Sequence, residues 1–584
     1  MTPSQRQTCR AAGALLLVGS TLSAAPAQAA PAGAGSGASA SSATQQYLVL
    51  ARVGVADAQV RAAVAAAGGT VRSVNAAVGV YTVDSADAGF AARARAAGAV
   101  DGVTTDRRIG SAVPSQTPAQ ARALEKATRA RALAASTSAT TKPKPRPGGS
   151  ATEPLAGLQW DMAMIDAWRA HRVEQGDGVK VGIMDTGVEA AHPDIRPNFD
   201  YRLSRNFTTD KPDIDGKCED EPDKSCSDPA TVDENEHGTH VAGTIAAARN
   251  GVGIAGVAPK ADIVNLRVGQ DSGYFFVDAT VNALTYAADH GIDVVNMSFF
   301  IDPWMFNCAA NPKDSPEAQA QQAATIKATN RALDYARKRG VTLVAAAGNE
   351  HLDLDHVTKD ATSPNYPADK AYERTLDKGC LNLPAQGNGV ITVSSVGPSG
   401  IKADYSNWGA ESVDVAAPGG SYREGFGTPT YAKPTNMVLA PMPKALALAN
   451  AKVDKTTGAS SDPFIVSQCK KKGDCVYYQY LQGTSMAAPH AAGVAALIVG
   501  RYGKKDRAHG GLKLDARTTE RILLKTATDT PCPASPYAYP GRPAEFTATC
   551  TGSPRENTFY GEGTVDALAA VTGHRKAAKG HHRP

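Results

Sequence analysis

The chain reads as an α/β protein: a parallel sheet flanked by helices, preceded by a small α+β unit. Three observations carry that reading. Six apolar runs (Val179 to Met184, Asp262 to Val268, Ile292 to Phe299, Val341 to Ala347, Val390 to Val396 and Val413 to Ala416) are near-continuous, as strands covered on both faces are. Helical patterns fall between them, at Thr239 to Ala248, Val277 to His290 and Ala318 to Arg339. Ahead of both, residues 45–110 alternate short strand and helix patterns over about 65 residues, near the lower limit for independent folding.

Taken in order, Thr2 to Arg10 carries two arginines, Ala11 to Leu22 is apolar, and Ala27-Gln28-Ala29 is a small-x-small signal. Residues 1–29 therefore read as a secretory signal peptide and the mature protein as secreted and extracellular. The apolar core is too short to remain as an anchor, and no later run reaches about 18 apolar residues, so no membrane partner is expected. Ala30 to Thr44 is rich in Ala, Gly and Ser, a composition that resists folding. Tyr47 to Leu50 then reads as a strand, Asp57 to Ala67 as a helix, Gly69 to Val83 as two short strands, Ala86 to Ala97 as a helix and Val100 to Arg107 as a strand. Residues 111–152, ending in alternating Lys, Arg and Pro, read as an extended linker open to cleavage. The main domain is expected over 153–572, and 573–584 is a basic, solvated tail.

At 584 residues, 42% apolar, 20% charged and net charge +4, the composition is that of an ordinary globular protein. Its basic residues do not form an aromatic-interleaved stripe, so no nucleic acid is expected. Nothing in the sequence suggests an oligomer, and the reading is a monomer. Of nine cysteines Cys9 falls in the leader, leaving eight; an even number in an oxidising compartment favours disulfides, and the absence of C-x-x-C argues against zinc. Count alone does not set connectivity. Because the close pairs sit in polar, loop-like segments, neighbours are expected to pair: Cys218 with Cys226, Cys308 with Cys380, Cys469 with Cys475 and Cys532 with Cys550.

The chemistry concentrates in Gly483-Thr484-Ser485-Met486-Ala487-Ala488-Pro489-His490, where a glycine-led turn opens a small-residue helix. Ser or Thr at a helix start is most often a cap. A serine presented at such a turn can also be a nucleophile, provided a base takes its proton. Asp185-Thr186-Gly187, at the end of an apolar run, and His237-Gly238-Thr239-His240, at the start of a second small-residue helix, supply the partners in the order Asp, His, Ser. With these three segments together the chain resembles the subtilisin-like serine proteases.

That resemblance implies a secreted endopeptidase made as a zymogen, with polypeptide substrates and residues 45–110 as its inhibitory prodomain partner. Ser485 would attack, His237 act as base and then acid, and Asp185 orient the imidazole; Asn349, after Val344-Ala345-Ala346-Ala347-Gly348, would complete an oxyanion hole. Ser298, Phe299, Phe300 and Gly348 match the pocket for the residue before the cut, with Phe300 standing where the family has a small glycine, and Ser272 and Gly273 match the opposite edge. No cofactor is implied for the chemistry. Calcium is a possible structural ion at Asp194 and Asn250, with Gln159 completing the set and oxygen ligands throughout. His240, one turn from His237, reads as a packed neighbour. Competing readings are an inactive secreted binding protein on the same fold and an aspartic protease built on Asp185 and Asp271, against which the helix–strand alternation argues; a serine esterase would need G-x-S-x-G, which Ala487 breaks. No function is legible for residues 419–479 or 531–551.

Overall fold

The computed structural model describes residues 44–105, 153–220, 224–366, 368–450, 452–471 and 473–574. The leader, the linker, the strand end at Arg107 and residues 575–584 of the basic tail lie outside the described residues.

Strands β1 (Gln45–Ala51), β2 (Thr70–Asn75), β3 (Val80–Ser85) and β4 (Val100–Thr104) make an antiparallel sheet in the order β2-β3-β1-β4, with α1 (Asp57–Ala66) and α2 (Phe90–Ala96) on one face. The two-residue period of β1 decides what each face covers. Tyr47, Val49 and Ala51 join Val60, Val64 and Phe90 in a small core, whereas Leu48 and Leu50 join the core of the main domain beside Ala324, Ala328 and Ala332. Each such aliphatic burial contributes about 2 kcal/mol. Helix α2 starts at Phe90 and not at Ala86, because the Asp87 carboxylate accepts the Gly89 N–H at 2.8 Å and closes a turn there.

In the main domain seven parallel strands run in the order β11-β10-β9-β8-β5-β7-β6, where β5 is Lys180–Met184, β6 Arg205–Asn206, β7 Asp262–Arg267, β8 Val294–Met297, β9 Thr342–Ala346, β10 Val390–Val396 and β11 Val415–Pro418. The six expected runs are all strands; the last lies two residues later than the pattern indicates. Helices α3 (His237–Ala246), α4 (Val277–Asp289), α5 (Pro316–Lys338), α6 (Thr484–Tyr502), α7 (Ala516–Thr526) and α8 (Ala567–Thr572) surround the sheet. The longest, α5, has Ser315 as its cap, accepting the Ala318 N–H at 3.1 Å, and Pro316 at the first position, where a missing N–H costs nothing.

Helix α6 runs through the core because its face is made of Ala, Gly and Val: Met486 to Val499 are all buried. Pro489 inside it cannot donate to the Ser485 carbonyl. The Ser298 hydroxyl takes that role at 3.0 Å, so a residue at the end of β8 braces the first turn of α6.

Residues 419–479, silent in the sequence, fold into an antiparallel sheet of β12 (Val438–Met442), β13 (Ile465–Lys471) and β14 (Asp474–Leu481), with β14 central and leading directly into α6. The four disulfides join the cysteines expected to pair.

Candidate active site

The carboxyl ends of β5, β8 and β9 and the starts of α3 and α6 bring the site residues to one place, the usual position of a site in such sheets. Asp185 follows β5 and is fully buried; its Oδ1 accepts the Thr186 N–H at 2.8 Å and lies 2.7 Å from His237 Nδ1. His237 opens α3, and its position is set by Asp233. That buried carboxylate accepts the Thr186 hydroxyl at 3.1 Å, the Thr239 N–H at 2.9 Å and the Thr239 hydroxyl at 2.5 Å. The loop after β5 and the start of α3 are thereby locked together. Gly238 is required where they meet, since a Cβ would collide with the Gly187 carbonyl oxygen.

Ser485 sits in the first turn of α6, its Oγ donating to the Ser298 carbonyl at 3.3 Å. Asn349 is fixed from the same turn: its Oδ1 accepts the Thr484 N–H at 2.8 Å and the Thr484 hydroxyl at 3.0 Å, which leaves Nδ2 as the group able to donate. Gly348 has φ +101°, a conformation suited to glycine, and donates its N–H to Thr484 Oγ1 at 3.0 Å.

These residues line one open cleft of about 750 Å³. His237, Ser485 and Asn349 line it, and so does each residue expected to touch substrate: Ser272, Gly273, Ser298, Phe299, Phe300 and Gly348. Phe299 is buried and stacks on Phe275, ring centroids 4.3 Å apart, whereas Phe300 is half-buried against the cluster that contains Met305, Phe306 and Ala347. Tyr274, Phe275 and Asp302, which also line the cleft, carry no motif, because only the folded edge of β7 and the turn after β8 bring them there. Asp302 accepts the Phe275 N–H at 2.6 Å and an N–H from Asn365, and burial pushes its carboxyl up to about 7. Burial also raises Glu350, whose Oε2 accepts from Asn407 at 2.8 Å.

His240 is packed, its Nε2 3.2 Å from the carbonyls of Val438 and Gln479, and burial pushes it down to about 3, so it stays neutral. At the expected ion site Asp194 and Asn250 do come together. The Asn250 amide donates to the Pro193 carbonyl at 3.0 Å, and Gln159 clamps the loop by accepting from and donating to Ala255. Asp194 is fully buried; its Oδ2 accepts from the Tyr478 hydroxyl at 2.8 Å and the Ile254 N–H at 3.2 Å, while Oδ1 has no partner among the described residues. Burial pushes this carboxyl up to about 7, and the orphaned oxygen fits a cation that would hold it charged. Tyr478, far off in sequence on β14, is a neighbour the pattern could not reveal. Elsewhere Asp210, Asp228 and Asp271 bring one carboxylate oxygen each within 4.8 Å of one another, a spacing that could hold a metal such as calcium, although the buried Arg267 guanidinium already pairs with all three.

The sequence pattern of the Subtilase family matches residues 176–563. The chain belongs to the subtilase family. It is 31% identical over 325 residues to the major intracellular serine protease of Bacillus subtilis (strain 168), covering 56% of this chain and 69% of that protein. It is 30% identical over 345 residues to thermitase of Thermoactinomyces vulgaris, covering 59% of this chain and 83% of that one. Among solved structures the epidermin leader peptide processing serine protease of Staphylococcus aureus superposes with a TM-score of 0.58 at 20% identity, over 92% of this chain and 100% of that chain, a likeness of fold. This subtilase is accordingly a subtilisin-like serine protease acting on polypeptides, of a family whose chemistry uses no cofactor.

Proposed function

We propose that this subtilase is a secreted, self-processed endopeptidase in which Ser485, His237 and Asp185 form the catalytic triad and Asn349 the oxyanion hole. The Ser485 hydroxyl attacks the scissile carbonyl as His237 Nε2 removes its proton; the same nitrogen then protonates the leaving amine, and water repeats the sequence on the acyl-enzyme. Asp185 holds Nδ1 protonated and stabilises the imidazolium. Asn349 Nδ2 and the Ser485 N–H receive the charge that builds on the carbonyl oxygen. What carries this reading is the 2.7 Å bond between His237 Nδ1 and buried Asp185 at the wall of a cleft that also holds Ser485 and Asn349. The peptide is taken to lie as an added strand between Ser272-Gly273 and Ser298 to Phe300, with Phe300 restricting the residue before the cut. Incubation with a fluorophosphonate, followed by peptide mass mapping, is expected to place the adduct on Ser485; an adduct on any other serine would sink the assignment.

Residues 45–110 are assigned the role of inhibitory prodomain, cut away within or after 111–152. The support is their docking on α4 and α5: Asn75 donates to Asn282 at 2.9 Å and Thr285 at 2.7 Å, Arg331 reaches the Ala51 carbonyl at 2.9 Å, and Arg331 and Lys327 both pair with Asp101 at 2.6 and 2.8 Å. Arg331→Asp reverses the charge facing Asp101 and should shorten the latent phase after secretion by about tenfold, read as the lag in peptide hydrolysis. An unchanged lag would mean that this face does not hold the unit. Export rests on the leader pattern and on four disulfides, which persist in oxidising compartments. Among the described residues no helix is long and apolar enough to cross a membrane.

Calcium is assigned to the loop around Asp194, held by Asp194 Oδ1 with oxygens of the 248–254 loop, where it would tie that loop to the Gln159 segment. Chelation with EDTA is expected to lower the thermal midpoint by on the order of 3–5 °C, restored by excess calcium. No shift would mean that Asp194 is held by neutral donors alone, the Tyr478 hydroxyl and the Ile254 N–H.

A further inference from the structure

The two segments without a legible role meet in a pocket of about 320 Å³. Arg423 and Phe426 come from the first; Tyr537, Tyr539 and Arg542 come from the second, which the Cys532–Cys550 disulfide closes. Phe426 is pressed against Gly541, whose φ of +74° and missing Cβ make room for the ring. Even so, Phe426 is 53% exposed, a large apolar side chain left at the rim.

Lys402, Arg423 and Arg542 line this pocket, with the carboxylates of Asp404 and Glu424. Asp404 is shared by two guanidinium groups, Arg542 Nε at 2.9 Å and Arg423 Nη1 at 3.8 Å. Arg542 Nε is ion-paired with that carboxylate without hydrogen-bond alignment, and the buried Tyr539 hydroxyl has no acceptor among the described residues. A buried donor without an acceptor is costly and rare, so the Tyr539 hydroxyl, beside two guanidinium groups that share the Asp404 carboxylate, points to a ligand that brings an acceptor. A guanidinium fork between aromatic walls suits a carboxylate carried on a peptide.

The pocket is coupled to the cleft by backbone. Gln482, three residues before Ser485, lines the cleft, and its Oε1 accepts the Tyr422 N–H at 2.5 Å, immediately before Arg423. Gly483 donates to the Gly419 carbonyl at 3.0 Å in the same segment. A substrate whose acyl half lies along Ser298 to Phe300 would send its leaving half past Gln482, the residue tied to the Tyr422–Arg423 segment.

We propose that the pocket between Arg423, Arg542 and Tyr539 binds an acidic side chain on the leaving-group side of the substrate, an inference that rests on the serine-protease reading. The test uses the mature enzyme and peptides in which one Glu or one Gln is scanned over positions two to six after the cut. The Glu peptide at one position should show about tenfold higher kcat/KM, mostly through KM, the scale of one charge-assisted interaction. Arg542→Gln and Arg423→Gln should erase the preference while hydrolysis of a peptidyl p-nitroanilide, which has no residues on that side, stays within about twofold. No preference at any position, or one that survives both substitutions, overturns the proposal. If Arg542→Gln fails to fold, Arg423→Gln, with a side chain 41% exposed, carries the same test. If the parent does not cleave the anilide, the protease reading has failed instead; calorimetric binding of the Glu and Gln peptides to Ser485→Ala protein, without and with Arg423→Gln, then decides the pocket by itself.

Discussion

Ser485→Ala is expected to lower kcat by about 10⁶-fold, the magnitude known for the nucleophile of subtilisin itself, and to leave the N-terminal unit attached to the rest of the chain. The change removes one oxygen whose hydrogen bond in the resting site is a single 3.3 Å donation to the Ser298 carbonyl. Little stability is lost, because α6 is held elsewhere, by burial of Met486 to Val499 and by the Ser298 hydroxyl on the Ser485 carbonyl, which alanine retains. Intact mass and peptide hydrolysis of parent and variant check it together. A variant that still loses its first 150 or so residues, produced without another protease, would show that the chain does not process itself through Ser485.

The fold was legible where physics is local. Near-continuous apolar runs marked the strands because a strand covered by helices on both faces has no polar side to show. The triad segments were legible because each needs residue types that tolerate a turn or a close approach: Gly187 and Gly238 pack carbonyl against Cα, and Gly348 takes a positive φ. What stayed hidden depends on distant partners. Asp233 fixes His237 through Thr186 and Thr239, and no spacing rule distinguishes it from the other acids of its loop. Tyr478 meets Asp194 across 284 residues. The sheet of β12 to β14 is not legible because a long polar connection separates β12 from β13 and its apolar face is completed by Tyr422 and Phe464 from outside the strands. The same distance explains the cleft: Ser298 to Phe300 were readable beside β8, but the Phe275 ring that stacks on Phe299 comes from the segment after β7.

Asp185→Asn should cost about 10⁴-fold in kcat at neutral pH, the loss known for the equivalent change in a trypsin-type triad, with KM little moved. Both of its contacts use Oδ1, which accepts from Thr186 at 2.8 Å and faces His237 Nδ1 at 2.7 Å, whereas Oδ2 is buried without a partner among the described residues. An asparagine that keeps its oxygen toward His237 preserves the tautomer but leaves two amide protons in a site that offers no acceptor. Turned the other way, it donates to the imidazole and forces the wrong tautomer. Either choice removes the negative charge that stabilises the imidazolium, so the barrier rises although the cleft keeps its shape. Residues that act as one unit are not additive. Ser485→Ala combined with Asp185→Asn should therefore be no slower than Ser485→Ala alone, measured as residual hydrolysis of an activated ester. A double variant slower by the product of the single losses would mean that Asp185 does not work through His237 on Ser485, and the triad would have to be divided.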